Sequence, residues 1–213
     1  MVTKTILQIV LGMCIALSSF GADVKYQING NSIIYLYEAH AGKKTSTHEL
    51  AKMISSKYMR EKNEFIRQDL LKELTLEINQ EIVSAKNSPT VTMSVKGKID
   101  RYNFDKSGFY TGLKTSTYIP FGNNYTVDFE NIASFAFMPV HVEEAKKLPI
   151  NWKTREVTYL FTGEITNAEI DMNSRSRNNS VVMKISSLSL VSKNGDIFLT
   201  INAPAIKSSI ANN

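Results

Sequence analysis

The sequence predicts an α+β fold in which an N-terminal helix pair packs on a mainly antiparallel β-sheet. Between residues 46 and 86 apolar side chains recur at every third or fourth position, which is the period of an α-helix. From about residue 90 to 203 the period changes to two, which is the period of a β-strand. Because strands follow helices in blocks instead of alternating with them, we expect one α+β domain over residues 22–213.

Residues 1–21 have the pattern of a cleavable signal peptide. Lys4 supplies a positive start, residues 6–17 form an apolar run, and Ser19 and Gly21 are small residues at the −3 and −1 positions of the cleavage site. The apolar run is shorter than the ~20 residues that span the hydrocarbon of a bilayer. We therefore expect a periplasmic or secreted protein with no transmembrane span after cleavage.

The single cysteine, Cys14, lies inside this predicted signal. A processed chain would lack thiols, which excludes structural disulfides, thiolate metal sites and thiol catalysis. Lipidation at Cys14 is an alternative, but Met13 stands where a lipoprotein site needs a small side chain. A secreted chain without cysteine is more typical of bacteria than of eukaryotes.

The helix pair has clear start and stop signals. Ser46 followed by Glu49 is a capping box, which predicts that a helix begins there. A single rod over residues 47–84 would be ~55 Å long, which exceeds the size of a domain with a radius of gyration of about 16 Å. We therefore predict a break near Lys62 and Asn63, and an end to the second helix at residues 87–89.

The second predicted helix is apolar on two sides. One stripe recurs at every fourth position, and it contains Ile66, Leu70, Leu74, Ile78 and Ile82. Phe65, Leu76 and Val83 lie on the other side. The pattern indicates that this helix is buried on more than one face.

Residues 24–39 fit two structures, a strand or hairpin, or a turn that leads into a short helix around residues 33–41. A second short helix is expected over residues 142–148, ended by Pro149. Asn194 and Gly195 are typical of a hairpin turn. Predicted strands cover residues 91–96, 99–104 after a bend at Gly97, 108–119, 125–130, 132–138, 156–162, 164–172, 181–191 and 196–201.

No catalytic, cofactor-binding or metal site is predicted. The histidines His40, His48 and His141 share no metal-ligand spacing, and a zincin motif that starts at His48 would need a second histidine in place of Lys52. The chain also lacks the Gly-x-Ser-x-Gly elbow, the Ser-x-x-Lys pair and a glycine-rich phosphate loop. These absences favour a protein that is not an enzyme.

Acidic residues keep one enzymatic alternative open, a hydrolase that acts on cell-wall material. Glu164, Glu169 and Asp171 lie close together in the sequence, and a glycosidase needs two carboxyl groups about 5–9.5 Å apart. A solvated strand face accounts for these residues more simply.

Charge and aromatic content bear on the ligand class. The formal net charge is +5, and basic residues are mixed with acidic ones without a basic stripe, so we expect no nucleic-acid partner. Arg175, Arg177 and Lys193 are candidates for a basic rim at two hairpin tips. Residues 102–137 are rich in aromatic side chains, which are expected in the core, with a surplus that allows an apolar-ligand carrier.

Short motifs across most of the chain resemble a known family. They are Ile33 to Tyr37, Asn63-Glu64-Phe65, Tyr102-Asn103-Phe104 with Phe109, Met138-Pro139-Val140 before Glu143-Glu144-Ala145, and Arg155. The chain resembles the domain of unknown function 4852, a family of exported bacterial proteins. This resemblance implies export and the α+β fold, and it brings no catalytic residues.

The favoured interpretation is a non-enzymatic envelope or secreted interaction module of unknown activity, with an envelope protein as the expected partner. The hydrolase and the apolar-ligand carrier are the alternatives. Two carboxylates that converge in a cleft would favour the hydrolase. An enclosed apolar cavity of at least ~300 Å³ would favour the carrier. An exposed apolar patch above a few hundred Å² would favour the interaction module. The oligomeric state stays open.

Overall fold

The computed structural model describes residues 25–170, 178–192 and 194–204. The helices are α1 (Ser32–His40), α2 (Thr47–Ile54), α3 (Ser56–Arg60), α4 (Glu64–Asn87) and α5 (Val142–Ala145), with a 3₁₀ turn at Ile132–Phe135. The strands are β1 (Tyr26–Gln27), β2 (Val91–Lys98), β3 (Gly108–Tyr110), β4 (Ile119–Pro120), β5 (Tyr125–Phe129), β6 (Phe137–Pro139), β7 (Glu156–Ile170), β8 (Asn179–Val191) and β9 (Ile197–Asn202). The predicted α+β class is confirmed.

The large sheet is mixed, so the prediction of a mainly antiparallel sheet is wrong. Its order is β1-β2-β7-β8-β5-β4, and β9 pairs with the other half of β8. β1 is parallel to β2 and β5 is parallel to β8, whereas β2, β7, β8 and β9 pair antiparallel. The error arises because side chains alternate with a period of two in both kinds of pairing, so the sequence pattern does not carry strand direction.

Helix α1 lies on the sheet. It contacts β5, β7 and β8, and every residue from Ile33 to Ala39 is buried. Of the two structures that fit residues 24–39, the turn that leads into a short helix is therefore correct. Helix α4 packs against α1, and α2 packs against α4. Direct packing of the α2–α4 pair on the sheet stays a prediction.

Several predicted boundaries are confirmed and others move. The break before Asn63 is present, and α4 ends at Asn87 as predicted. Residues 156–170 form one strand instead of two, with register shifts after Thr162 and Ile165. Residues 99–104 are not a strand, and residues 132–138 divide into the 3₁₀ turn and part of β6.

Gly97 does not bend the chain as predicted, because it lies inside β2. A Cβ atom at this position would come within 2.4 Å of the Tyr159 ring. The Tyr159 hydroxyl lies 2.9 Å from the carbonyl oxygens of both Lys98 and Thr111. Glycine at position 97 therefore lets Tyr159 join the end of β2 to the segment after β3.

Some sequence predictions fall outside the described residues. These are the signal peptide over residues 1–21 with Cys14, the end of the predicted strand 164–172, and the basic-rim candidates Arg175, Arg177 and Lys193. The prediction of a single domain over residues 22–213 likewise stays a prediction.

Candidate functional site

Helices α2, α3 and α4 form a helical arm, which we define as residues 47–87. The Ser46 hydroxyl accepts a hydrogen bond from the Glu49 backbone N–H at 3.3 Å, as the capping box predicts. The Asn63 side chain accepts from the N–H groups of Phe65 and Ile66 at 3.0 and 3.4 Å. Because these caps satisfy donors that a helix leaves unpaired, they fix where α2 and α4 begin.

His48 has a structural partner in the arm. Its Nδ1 atom lies 2.5 Å from the hydroxyl of Tyr58, which is buried, and the Arg67 guanidinium lies 5.1 Å from the centre of the Tyr58 ring. This cluster joins α2, α3 and α4. His40 lies in the last turn of α1 and His141 precedes α5, so the structure does not bring the three histidines together.

One face of α4 covers α1. Ile78 and Ala85 are fully buried there, and Leu70, Leu71, Leu74 and Ile82 are partly buried against the core. Burial raises the pKa of Tyr35 on α1 to about 12, with added contributions from Glu77 and Glu81 on α4. The pKa of Tyr26 is raised by burial and by Glu81. Both phenols are therefore neutral near neutral pH.

The opposite face of α4 carries three large apolar side chains that nothing in the described chain covers. Phe65 is 76% exposed, Leu76 is 68% exposed and Val83 is 56% exposed. At about 100° per residue, these three positions fall within about 20° of one another around the helix axis. The prediction that these residues are buried is therefore wrong for the isolated chain, although the prediction of two apolar sides is correct.

Two charged residues lie on the same line between Phe65 and Leu76. Asp69 and Lys72 form an ion pair at 3.1 Å, and both side chains are about 70% exposed. We call the set Phe65, Asp69, Lys72, Leu76 and Val83 the outer stripe. Phe65 and Leu76 are separated by about 16 Å along the helix, so they form spaced apolar anchors, as in helices that dock in a groove of a partner, and not one continuous patch.

The acidic residues of β7 do not form a glycosidase pair. Glu164 faces Lys184, with 3.8 Å between the Glu164 Oε1 and Lys184 Nζ atoms, and Glu169 faces Ser180. Lys184 and Ser180 are four residues apart on β8, which separates the two carboxylates by about 13 Å of strand. Asp171 lies outside the described residues. Among those described, no three metal-ligating side chains come together.

Glu38 is a buried carboxylate that the sequence analysis did not single out. It lies in α1 and is 1% exposed. Its Oε2 atom accepts a hydrogen bond from the Thr45 backbone N–H at 2.9 Å, and its Oε1 atom accepts from the Thr45 hydroxyl at 2.5 Å. These bonds hold the connection between α1 and α2, so the buried Glu38 side chain has a structural role.

An open cleft lies at one end of the sheet, between β2, β7, β8 and β9 and the segment of residues 149–154. Its volume is about 850 Å³, within the range of small-molecule sites. Val157, Leu190 and Phe198 give it an apolar lining, and two lysines, Lys96 and Lys98, outnumber the one acidic lining residue, Glu156. The cleft is open to solvent, unlike the enclosed cavity that a carrier of apolar ligands was expected to have.

The aromatic residues divide between the core and the surface. Phe109, Tyr125 and Phe135 are fully buried, as expected, whereas Phe104 is exposed. Trp152, which the sequence analysis did not single out, is partly exposed and stacks on Phe109 with 5.7 Å between the ring centres. The basic rim predicted from Arg175, Arg177 and Lys193 lies outside the described residues.

Part of the chain matches a known protein family. Residues 48–148 match the family model Domain of unknown function (DUF4852). This confirms the resemblance over the matched segment, whereas the motif Ile33 to Tyr37 and Arg155 lie outside it. The matched DUF4852 segment runs from the first turn of α2 to just beyond α5, so it contains the outer stripe. No curated protein and no solved structure matches the chain. Within the described ranges, no helix has the length and apolar character to cross a membrane.

Proposed function

We propose that the protein is a non-enzymatic interaction module of the bacterial envelope or the extracellular medium. In this proposal the outer stripe of α4 docks on an amphipathic helix of a protein partner. The observation that carries the proposal is the alignment of Phe65, Leu76 and Val83 on one exposed face of a 24-residue helix. Export is supported by the signal-peptide pattern of residues 1–21.

Burial of these side chains is the driving force of the proposed docking. Removing a large apolar side chain from water contributes about 1.5–3 kcal/mol when burial is complete. The opposite face of α4 already holds the helix on α1, so the outer stripe is free to bind without a change of fold. A preformed helix face also avoids the entropy cost of ordering a disordered segment on binding.

The test compares capture of partners by three versions of the exported protein. The wild type, the double variant Phe65→Ser/Leu76→Ser and the control Ile197→Ser are each crosslinked lightly in the envelope fraction and analysed by mass spectrometry. Ile197 is a matched control because it is 60% exposed and lies on β9, far along the chain from α4. Urea denaturation checks that all three versions fold, since exposed substitutions usually change stability by less than about 0.5 kcal/mol.

We expect the wild type and the control to enrich the same protein, with crosslinks to α4. The amount of this protein that the double variant captures should be at least about tenfold lower. Equal capture by all three versions, or capture of neither another protein nor a second copy of the chain, would contradict the proposal.

The open cleft supports a second candidate function, binding of a small apolar ligand with a negative group. Its apolar lining and the lysines at positions 96 and 98 suit such a ligand. We expect Val157→Trp to fill part of the cleft and to weaken the binding of a fluorescent fatty acid. A wild-type protein that does not bind the fatty acid would reject this candidate.

A further inference from the structure

We propose that the helix that docks on the outer stripe is α4 of a second copy of this chain, in an antiparallel two-fold arrangement. This inference rests on the proposed function, because it names the partner of the same surface. In the pair, Phe65 of each copy contacts Leu76 of the other, and Asp69 of each copy pairs with Lys72 of the other.

The order of residues along the stripe carries the inference. Phe65, Asp69, Lys72 and Leu76 follow one another at intervals of four, three and four residues, in the order apolar, acidic, basic, apolar. The intervals are the same when the stripe is read from either end. Reading it backwards puts the basic residue where the acidic one was, and the acidic residue where the basic one was. A two-fold axis between residues 70 and 71 therefore brings apolar side chains opposite apolar ones and each charge opposite its complement. A closed two-fold interface requires this kind of self-complementarity.

The charges also select the direction of the pair. In a parallel pair in register, Asp69 would lie opposite Asp69 and Lys72 opposite Lys72. Like charges opposite one another oppose association, whereas the antiparallel pair forms two new ion pairs. The existing ion pair between Asp69 and Lys72 does not prevent this exchange, because exposed pairs at this spacing contribute little stability.

The opposite side of α4 is not available to compete for this role. Ile78 and Ala85 are fully buried, and α1, α2 and α3 all contact α4. The three large apolar side chains of α4 that are more than half exposed, Phe65, Leu76 and Val83, all lie on the outer stripe, whereas Ile66 beside it is 48% exposed. One pair of helices buries less surface than the ~1,200 Å² of a standard stable complex, so we expect a dissociation constant of about 1–100 µM.

The first experiment measures association by analytical ultracentrifugation between about 1 and 500 µM, a range that brackets the expected constant. We expect Asp69→Lys alone and Lys72→Asp alone each to weaken self-association at least about tenfold. An equimolar mixture of the two variants should recover association, because each lysine then lies opposite an aspartate of the other chain. Failure of the mixture to recover would overturn the proposal.

The second experiment determines the direction of the pair. Phe65→Cys and Leu76→Cys are made in separate chains that also carry Cys14→Ser, which leaves one thiol in each chain. On oxidation of the mixture we expect the disulfide between positions 65 and 76 to form at least about tenfold more than 65–65 or 76–76 disulfides. A preference for the two homodisulfides would show a parallel pair and overturn the inference.

The proposed function can survive the failure of this inference. A wild type that stays monomeric throughout the concentration range, yet captures another protein through the outer stripe, would overturn only the identity of the partner. A monomer that captures nothing would overturn both proposals.

Discussion

Helices α1 and α4 differ in how they are covered. Helix α1 has nine residues, and all seven from Ile33 to Ala39 are buried between the sheet and α4. Helix α4 has 24 residues, of which only Ile78 and Ala85 are fully buried. The short helix therefore lies at the centre of the fold, while the long one covers it with one face and leaves the other exposed.

This difference separates residues that hold the fold from residues that are free to bind. A side chain in α1 is in contact with protein on all sides, so its loss should cost stability. A side chain on the outer stripe has no such contacts in the single chain, so its loss should affect only association. Substitutions in these two groups should therefore differ clearly in the free energy of unfolding at neutral pH.

Leu36→Ala in α1 should lower the free energy of unfolding by about 3–5 kcal/mol, because it leaves a cavity at a fully buried position. The matched change Leu76→Ala on the outer stripe should cost less than about 0.5 kcal/mol in dilute protein. Urea denaturation followed by circular dichroism measures both. Similar losses for the two variants would break the distinction between the helices.

Ile78→Ala and Val83→Ala make the same comparison within α4. Ile78 is 1% exposed against the core, so we expect a loss of about 2–4 kcal/mol. Val83 is more than half exposed on the outer stripe, and its loss should stay below about 0.5 kcal/mol. The same denaturation assay applies, and a cost for Val83→Ala as large as that for Ile78→Ala would show that the outer stripe is packed.

Asn63→Ala should cost about 1 kcal/mol, because it removes the side chain that caps α4. Asn79→Ala is the control, since Asn79 is an exposed residue in the middle of the same helix. Alanine is the better helix former, so this control should be neutral or slightly stabilising. Thermal denaturation distinguishes the two. Equal effects would argue that the cap does not stabilise the helix.

Tyr35→Phe should change the free energy of unfolding least at neutral pH, and the change should become measurable only at alkaline pH. Burial, with Glu77 and Glu81, raises the pKa of Tyr35 from 10.0 to about 12 in the folded protein. The stability that this raised pKa contributes is therefore complete below pH 10, and it is lost as the pH rises towards 12.

The free energy of unfolding should accordingly fall less steeply with pH in Tyr35→Phe than in the wild type. Urea denaturation at pH 8 and at about pH 11 measures the two slopes. Identical slopes of stability against pH in the two proteins would show that Tyr35 does not titrate in the contact between α1 and α4.

Local signals in the sequence predicted the ends of the helical arm well. Ser46 caps α2 as its capping box indicates, because capping depends on neighbouring residues alone, and α4 begins after the break that helix length predicts. The further break at Ser55, between α2 and α3, was not predicted. The α1 segment was ambiguous because nearly every position from Ile33 to Ala39 is apolar, and a helix buried on all sides has no periodic pattern.

Long-range features were harder to predict. The parallel pairing of β5 with β8 depends on how the chain returns to the sheet, which alternation does not encode. The exposure of Phe65 and Leu76 was missed because periodicity identifies an apolar face but not whether the same chain covers it. Trp152 lies in an irregular segment, where no period indicates its contact with Phe109.

The most direct test of the central claim is the rate of thiol labelling at position 76. Leu76→Cys and the control Ile197→Cys, each in a Cys14→Ser background, are labelled with a maleimide in dilute protein and again at high concentration or with envelope extract. We predict fast labelling of both when dilute, and protection of position 76 alone when a partner is present. Slow labelling of position 76 in dilute protein, or no protection under any condition, would contradict the account.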